Sequence, residues 1–311
     1  MTKLLLTDGD IEVFRWVWML QVLSLDQIRR LRYFQSDTGT LSNLDNVRKR
    51  LARLTRTGYL RADDIWKEHT RVRQRIYRLG NEALPALRYH FGIDQTRVHK
   101  PKAQNTFRQV HHTLMVSECA VRIVECLRNT EFETPDLPPL DIPFYHTHAV
   151  GNPRAKKHIE RFATQEDLHV PGHLKPFRIR PDLVFALGKG GTHRLFLLEA
   201  DRGTESYTEI TEKLRGYRYY AEKRDPADPG KFLWQRYGPV RDFRALFVTT
   251  TQKRMESLRA SLSKEPGFGL AAFADFAQVC DRNICFEEVW KVEDGSFQPL
   301  LRGIQRSETN S

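Results

Sequence analysis

The sequence predicts two domains of different class: an α+β winged helix–turn–helix domain over residues 1–93 and an α/β domain over residues 107–301. Three observations predict them. Helical apolar spacing recurs three times in the first 57 residues and then gives way to two extended runs around a polar turn. The excess positive charge is concentrated in the same segment. Further on, apolar strand-like runs alternate with helical stripes, the pattern of a layered α/β domain.

The first helix spans residues 8–22, with Asp8 as the expected N-cap and Ile11, Phe14, Trp18 and Val22 on its inward face. Ser24 caps a short second helix that turns Leu25, Ile28 and Leu31 inward. After the turn Ser36–Thr40, a third helix runs from Ser42 to Thr57 on the stripe Leu44, Val47, Leu51 and Leu54. Gly58 follows it, where a left-handed residue would end it. Its other face carries Asn46, Lys49, Arg50, Arg53 and Arg56. The runs YLRADDIW and RVRQRIYRL bracket the turn KEHT as a hairpin, with Arg71, Arg73 and Arg75 alternating onto one face. Gly80 opens a fourth helix.

Residues 1–100 hold 19 of the 50 basic and 11 of the 39 acidic side chains, which leaves +8 of the formal +11 in the first third. A concentrated basic surface draws in the phosphate backbone and releases its condensed counterions. The third helix is the second of a helix–turn–helix pair, the element that enters the major groove of double-stranded DNA, where Arg pairs with guanine and Asn with adenine. Asn46, Lys49, Arg50, Arg53 and Arg56, with Arg71, Arg73 and Arg75 of the wing, are the expected DNA contacts. Which of them read bases and which hold phosphates is left open by the sequence.

Residues 94–106 are polar, basic and proline-containing and read as a linker. A long amphipathic helix follows, with Val110, Leu114, Ser117, Val121, Val124 and Leu127 on one side and Glu118 beside them. Residues 131–178 are proline-rich and carry His146, His148, His158, His169 and His173, read as loop surface rather than a metal site. Cys119, Cys126, Cys280 and Cys285 lack C-x2-C spacing and are expected to be free thiols. No apolar run reaches the roughly 20 residues of a membrane span, and the N-terminus lacks a signal-peptide layout, so a cytoplasmic protein with no membrane partner is expected. Residues 302–311 read as a frayed tail.

In the second domain, FRIRPDLVFAL reads as one strand with Pro181-Asp182 inside it, and HRLFLLEAD as the next strand after a glycine turn. Thr204 is expected to cap a helix packed through Ile210, Leu214 and Tyr217. FRALFVTT then forms a strand and QKRMESLRASLSK a helix. No G-x-S-x-G, P-loop or G-x-G-x-x-G pattern is present, which removes serine hydrolases and common nucleotide-binding enzymes from consideration.

This arrangement resembles the PD-(D/E)xK nuclease superfamily, a restriction-endonuclease-like fold. The resemblance implies metal binding by Asp182 of the P-D pair and by Glu199, with Glu118 as the acid from the preceding helix. Where the superfamily keeps a lysine two residues after the glutamate, this chain has Asp201. Lys213 reaching back into the site, Asp201 as a further ligand, and a degenerate fold kept for dimerisation or protein contacts all remain open. Mg²⁺ or Mn²⁺ is the implied cofactor, since hard oxygen donors suit both ions. The run from the winged helix through HHTLMVSE, RPDLVFAL, FLLEADRGTES and KLRGYRYYA is also similar to the replication-relaxation family of plasmid and mobile-element proteins. Its E-x-D-R-G-T followed by K-x3-Y carries most of that likeness, and E-x-D is the family's usual form. The partners so implied are double-stranded DNA, a second copy of the chain, and replication or mobilisation proteins.

Overall fold

The computed structural model describes residues 4–35, 40–67, 70, 72–91, 106–128, 144–146, 166–168, 177–179, 181–189, 192–226, 228–237 and 240–301. The chain is mixed α+β and divides into two compact units, Met1–Val121 with His148–Lys156, and Arg122–Thr147 with Lys157–Ser311. Outside the described residues lie Arg71, Arg180, residues 94–105 of the expected linker, His148, His158, His169, His173 and the tail.

In the first unit, α1 (Asp8–Leu20) is capped by Thr7 rather than Asp8. Thr7 and Asp10 form a reciprocal capping box that satisfies two N-terminal N–H groups. The strand β1 (Leu23–Ser24) leads directly into α2 (Leu25–Arg32), where Ser24 and Gln27 form a second such box. The strands β2 (Phe34–Gln35) and β3 (Thr40–Leu41) pair before α3 (Leu44–Arg56), whose first turn is held by the Asn43 side chain. Gly58, at φ +80°, ends α3 in the left-handed conformation. The hairpin β4 (Leu60–Trp66) and β5 (Arg73–Leu79) is in register from Leu60↔Leu79 to Trp66↔Arg73, and β1 adds to the other edge of β5. Gly80 carries no side chain because a Cβ there would stand 2.0 Å from the Gly58 carbonyl oxygen. The helix α4 (Ala83–Phe91) starts after a further turn.

The apolar stripes converge as their spacing requires. Phe14, Val17, Leu20, Ile28, Val47, Leu51, Leu54, Ile76 and Leu87 are buried, and each contributes roughly 1.5–3 kcal/mol by leaving water. The long helix α5 (Phe107–Leu127) lays Val110 and Leu114 against Val22 and Ile76, and the Ser117 hydroxyl donates to the Val22 carbonyl at 3.0 Å.

The second unit contains β6 (Phe144–His146), β7 (Glu166–Leu168), β8 (Phe177–Ile179), β9 (Leu183–Lys189), β10 (Thr192–Asp201) and α6 (Tyr207–Glu222). These are followed by β11 (Arg224–Asp225), β12 (Asp228–Phe232), β13 (Val240–Thr249), α7 (Gln252–Leu262), β14 (Ala271–Asp275), α8 (Phe276–Asp281), β15 (Trp290–Lys291) and β16 (Phe297–Gln298). Among the described residues the main sheet runs β16-β15-β14-β13-β10-β9-β6 and is mixed. The pairs β10–β13 and β13–β14 are parallel, and the others are antiparallel. The helices α6 and α7 are the crossovers that parallel pairing demands.

The expected single strand over Phe177–Leu187 is broken at Pro181-Asp182. Proline cannot donate to a ladder, and β8 pairs with β7 while β9 joins the main sheet. The α6 cap is Ser206, in a capping box with Glu209, not Thr204. The strands β14 to β16 are not expected from the sequence pattern. At Gly267 (φ +93°) the turn before β14 touches α6 so closely that a Cβ would stand 2.9 Å from the Arg218 Cβ and 3.1 Å from the Leu214 carbonyl oxygen. None of the four cysteines is in a disulfide. Among the described residues no helix is long and apolar enough to cross a membrane.

Candidate functional site

Strand alternation puts Glu199 and Asp201 on one face of β10, at its C-terminal end. Asp182 sits where the neighbouring chain enters β9. Its N–H donates to the Leu198 carbonyl (2.8 Å) and its Oδ2 accepts from the Ala200 N–H (2.9 Å), so it brackets Glu199 across the hairpin. All three carboxylates are buried, Glu199 at 3% and Asp201 at 2% exposure.

The helix α6 then supplies the countercharge. Lys213 and Tyr217 stand four residues apart and so share one face. The Lys213 ammonium donates to Glu199 Oε2 at 2.9 Å and to Glu205 Oε1 at 2.6 Å. The Tyr217 hydroxyl donates to Glu199 Oε1 at 2.5 Å. Burial raises the Glu199 carboxyl to about 7, with Lys213 opposing and Asp182 adding to the rise, while the Tyr217 and Lys213 hydrogen bonds lower it. Burial works against the Lys213 ammonium, but Glu199, Glu205 and Asp182 outweigh it and hold the lysine protonated, above its ordinary value. Burial and the Glu199 charge push the Tyr217 hydroxyl well above the usual tyrosine range, so it remains a donor.

Asp201 is committed elsewhere. Its Oδ1 accepts from the Gly203 N–H (2.7 Å) and its Oδ2 from Arg254 Nε (2.8 Å). Arg254, from the first turn of α7, also donates to the Glu205 carbonyl (2.8 Å) and lies over the Tyr207 ring (4.6 Å). Nothing local in the sequence marks Arg254, 53 residues away, as the partner of Asp201.

Glu118 is held within the first unit. Arg30 Nη1 donates to its Oε1 at 2.7 Å and Gln27 Nε2 to its Oε2 at 3.1 Å. This largely buried ion pair ties α5 to α2. Among the described residues, no group of three or more His, Cys, Asp or Glu side chains is gathered to hold a metal.

On α3, Asn46, Lys49, Arg53 and Arg56 are exposed and fall at spacings of three and four residues, one helical face. Arg50 departs from that face. Its Nε donates to Asp10 Oδ1 at 2.8 Å, and Nη2 reaches Asp10 Oδ2 and the Leu5 carbonyl. Burial would raise the Asp10 carboxyl, but the hydrogen bonds from Arg50 and Thr7 and the Arg50 charge bring it below its ordinary value. On the hairpin, Arg73 and Arg75 are exposed. Arg73 lies over the Trp66 ring at 5.1 Å, and Arg75 pairs with Asp64 through two hydrogen bonds of 2.9 and 2.7 Å.

A family model described as replication-relaxation matches residues 14–232. No curated protein matches the chain. A solved structure of restriction endonuclease FokI aligns at 10% identity with a TM-score of 0.30, over 91% of this chain and 46% of that one. The chain thus spans about half of the FokI chain.

Proposed function

The chain belongs to the replication-relaxation family, and from that premise we propose a DNA-binding protein whose second unit hydrolyses phosphodiester bonds with a divalent cation. In this reading the first unit is a winged helix–turn–helix. Asn46, Lys49, Arg53 and Arg56 of α3 face the major groove, and Arg73 and Arg75 sit on the wing. The second unit is a PD-(D/E)xK nuclease-like domain that the first delivers to double-stranded DNA.

The observation that carries the catalytic part is the Lys213 ammonium 2.9 Å from Glu199, with Asp182 bracketing that glutamate from the adjoining strand. Two carboxylates and a cation are thereby gathered although Asp201 occupies the strand position of the usual lysine. The donor set fits Mg²⁺ or Mn²⁺, which take one or two carboxylates and complete their shells with water and substrate phosphate. Asp182 and Glu199 would hold the ion, which when bound lowers the pKa of a water and offsets charge on the phosphate. Lys213 keeps a positive charge beside the carboxylates, available to orient the attacking water or steady the developing oxyanion. Asp201 is a structural acid in this scheme, since Arg254 and the Gly203 N–H engage its oxygens.

One observation favours a second reading. Both Glu199 oxygens already accept hydrogen bonds from α6, and such a self-neutralised cluster suits a non-catalytic domain used for dimerisation or contacts with replication proteins. Incubating supercoiled plasmid with Mg²⁺ or Mn²⁺ separates the two. Nicking by the wild type and its loss in Asp182→Ala, Glu199→Ala and Lys213→Ala supports hydrolysis. Equal activity in all four proteins, or none in any across several DNA substrates, refutes it in favour of the non-catalytic reading.

A further inference from the structure

The K-x3-Y spacing on α6 brings a second residue to Glu199, and the function proposed above uses only the lysine. We propose that Tyr217 is a positioning residue: with Lys213 it clamps Glu199 from both carboxylate oxygens and fixes the orientation in which Glu199 meets a divalent cation. The inference rests on the metal-binding reading of Asp182 and Glu199.

The geometry is that of a two-point grip. Lys213 donates to Oε2 and Tyr217 to Oε1, at 2.9 and 2.5 Å, so the carboxylate cannot turn about its last torsion without losing one donor. Each oxygen keeps a second lone-pair direction, so the grip leaves Glu199 able to ligate. Tyr217 is itself immobilised. It is 1% exposed, and its ring meets Phe247 edge-on at 6.4 Å. Phe247 is the register partner of Glu199 across β10 and β13, so the residue that seats the tyrosine ring stands beside the glutamate it serves. One turn on, Tyr220 packs edge-on against Phe243 at 5.6 Å and extends the same packing along the strand. A lone helical tyrosine on an apolar stripe is ordinarily core. Here the hydroxyl is aimed at a buried carboxylate, and removing it leaves the packing surface intact.

Partners that orient a metal-ligating side chain typically account for about 10- to 100-fold in metal affinity. The test is Mn²⁺ binding to the full chain, followed by the electron paramagnetic resonance of free Mn²⁺, for wild type, Tyr217→Phe and Glu199→Ala. The expected result is binding by wild type, loss in Glu199→Ala, and about 10- to 100-fold weaker binding in Tyr217→Phe. Tyr217→Phe removes only the hydroxyl, so the variant should remain folded with a thermal midpoint lowered by the loss of one buried hydrogen bond. Unchanged Mn²⁺ affinity in Tyr217→Phe, with binding lost in Glu199→Ala, overturns the clamp and leaves the metal reading standing. No Mn²⁺ binding by wild type overturns both. A second measurement needs no substitution at Tyr217: its buried hydroxyl proton should give an exchange-protected downfield NMR signal that shifts when Mg²⁺ is added. A signal indifferent to saturating Mg²⁺ counts against the clamp even if the phenylalanine variant does not fold.

Discussion

Replacing Arg50 with methionine tests whether this residue serves the fold rather than DNA. Asp10 is 1% exposed and the Arg50 side chain 21% exposed, so the pair is largely withdrawn from water. At 2.8 Å and an effective dielectric constant of about 20, the gross Coulomb attraction is about 6 kcal/mol. Desolvation of both ions offsets much of that, and breaking such a pair by removing one partner costs about 3–5 kcal/mol. Asp10 keeps its hydrogen bonds from the Thr7 N–H (2.8 Å) and hydroxyl (3.0 Å), which places the loss near the lower end, about 3 kcal/mol. For a unit of this size that corresponds to a fall of roughly 10 °C in thermal midpoint. The pH dependence has a definite sign. The folded-state pKa of Asp10 is depressed, so its contribution is present above the unfolded value of about 3.9 and is lost as pH falls through the folded value. Circular-dichroism melts at pH 7 and at successively lower pH should show the gap between wild type and Arg50→Met closing below about pH 4. A gap under about 0.5 kcal/mol at pH 7, the range of ordinary surface substitutions, would refute the structural role.

The exposed face of α3 should behave oppositely. Lys49→Ala and Arg53→Ala are expected to leave the melt within about 0.5 kcal/mol of wild type. In fluorescence anisotropy on duplex DNA each should weaken binding and reduce the salt slope by about 1 for each phosphate left without its cation; unchanged affinity and slope would remove α3 from the interface. Gly80→Ala should destabilise by about 2 kcal/mol or more, because its Cβ would stand 2.0 Å from a backbone oxygen that cannot swing away. A chemical-denaturation curve superimposable on wild type would contradict that steric reading.

Much of the fold can be read from the sequence wherever one face of an element is apolar along its whole length. The stripes of α1, α3 and α5 are of this kind. Caps slip by one or two residues because a capping box assigns the role to the residue whose partner lies three positions on, as with Thr7–Asp10 and Ser206–Glu209. The strand β14 escapes detection because Ala271–Asp275 is a buried alanine-rich run with no alternation, and β15 and β16 are two residues each. At the candidate site, Asp182, Glu199 and Lys213 are picked out by what the superfamily resemblance implies for the P-D pair, the E-x-D strand and the following helix, not by hydrophobic period. The surroundings of Glu118 and Asp201 are not legible, since their partners Arg30 and Arg254 are 88 and 53 residues away. Arg50 reads as solvent-facing on its own helix, and only the fold reveals that Asp10, 40 residues earlier, claims it.

A lysine borne by a strand inherits the rigidity of a sheet. Lys213 rides instead on α6, whose start is set by the Ser206–Glu209 box and whose flank is touched at Leu214 and Arg218 by the turn at Gly267. The charge balance around Glu199 is therefore a function of how one helix is seated. A shift of α6 along its axis would move ammonium and hydroxyl together, strengthening or releasing both grips in a single motion. The two carboxylates are anchored in the hairpin, so the seating of α6 sets which donors they meet and not where they stand.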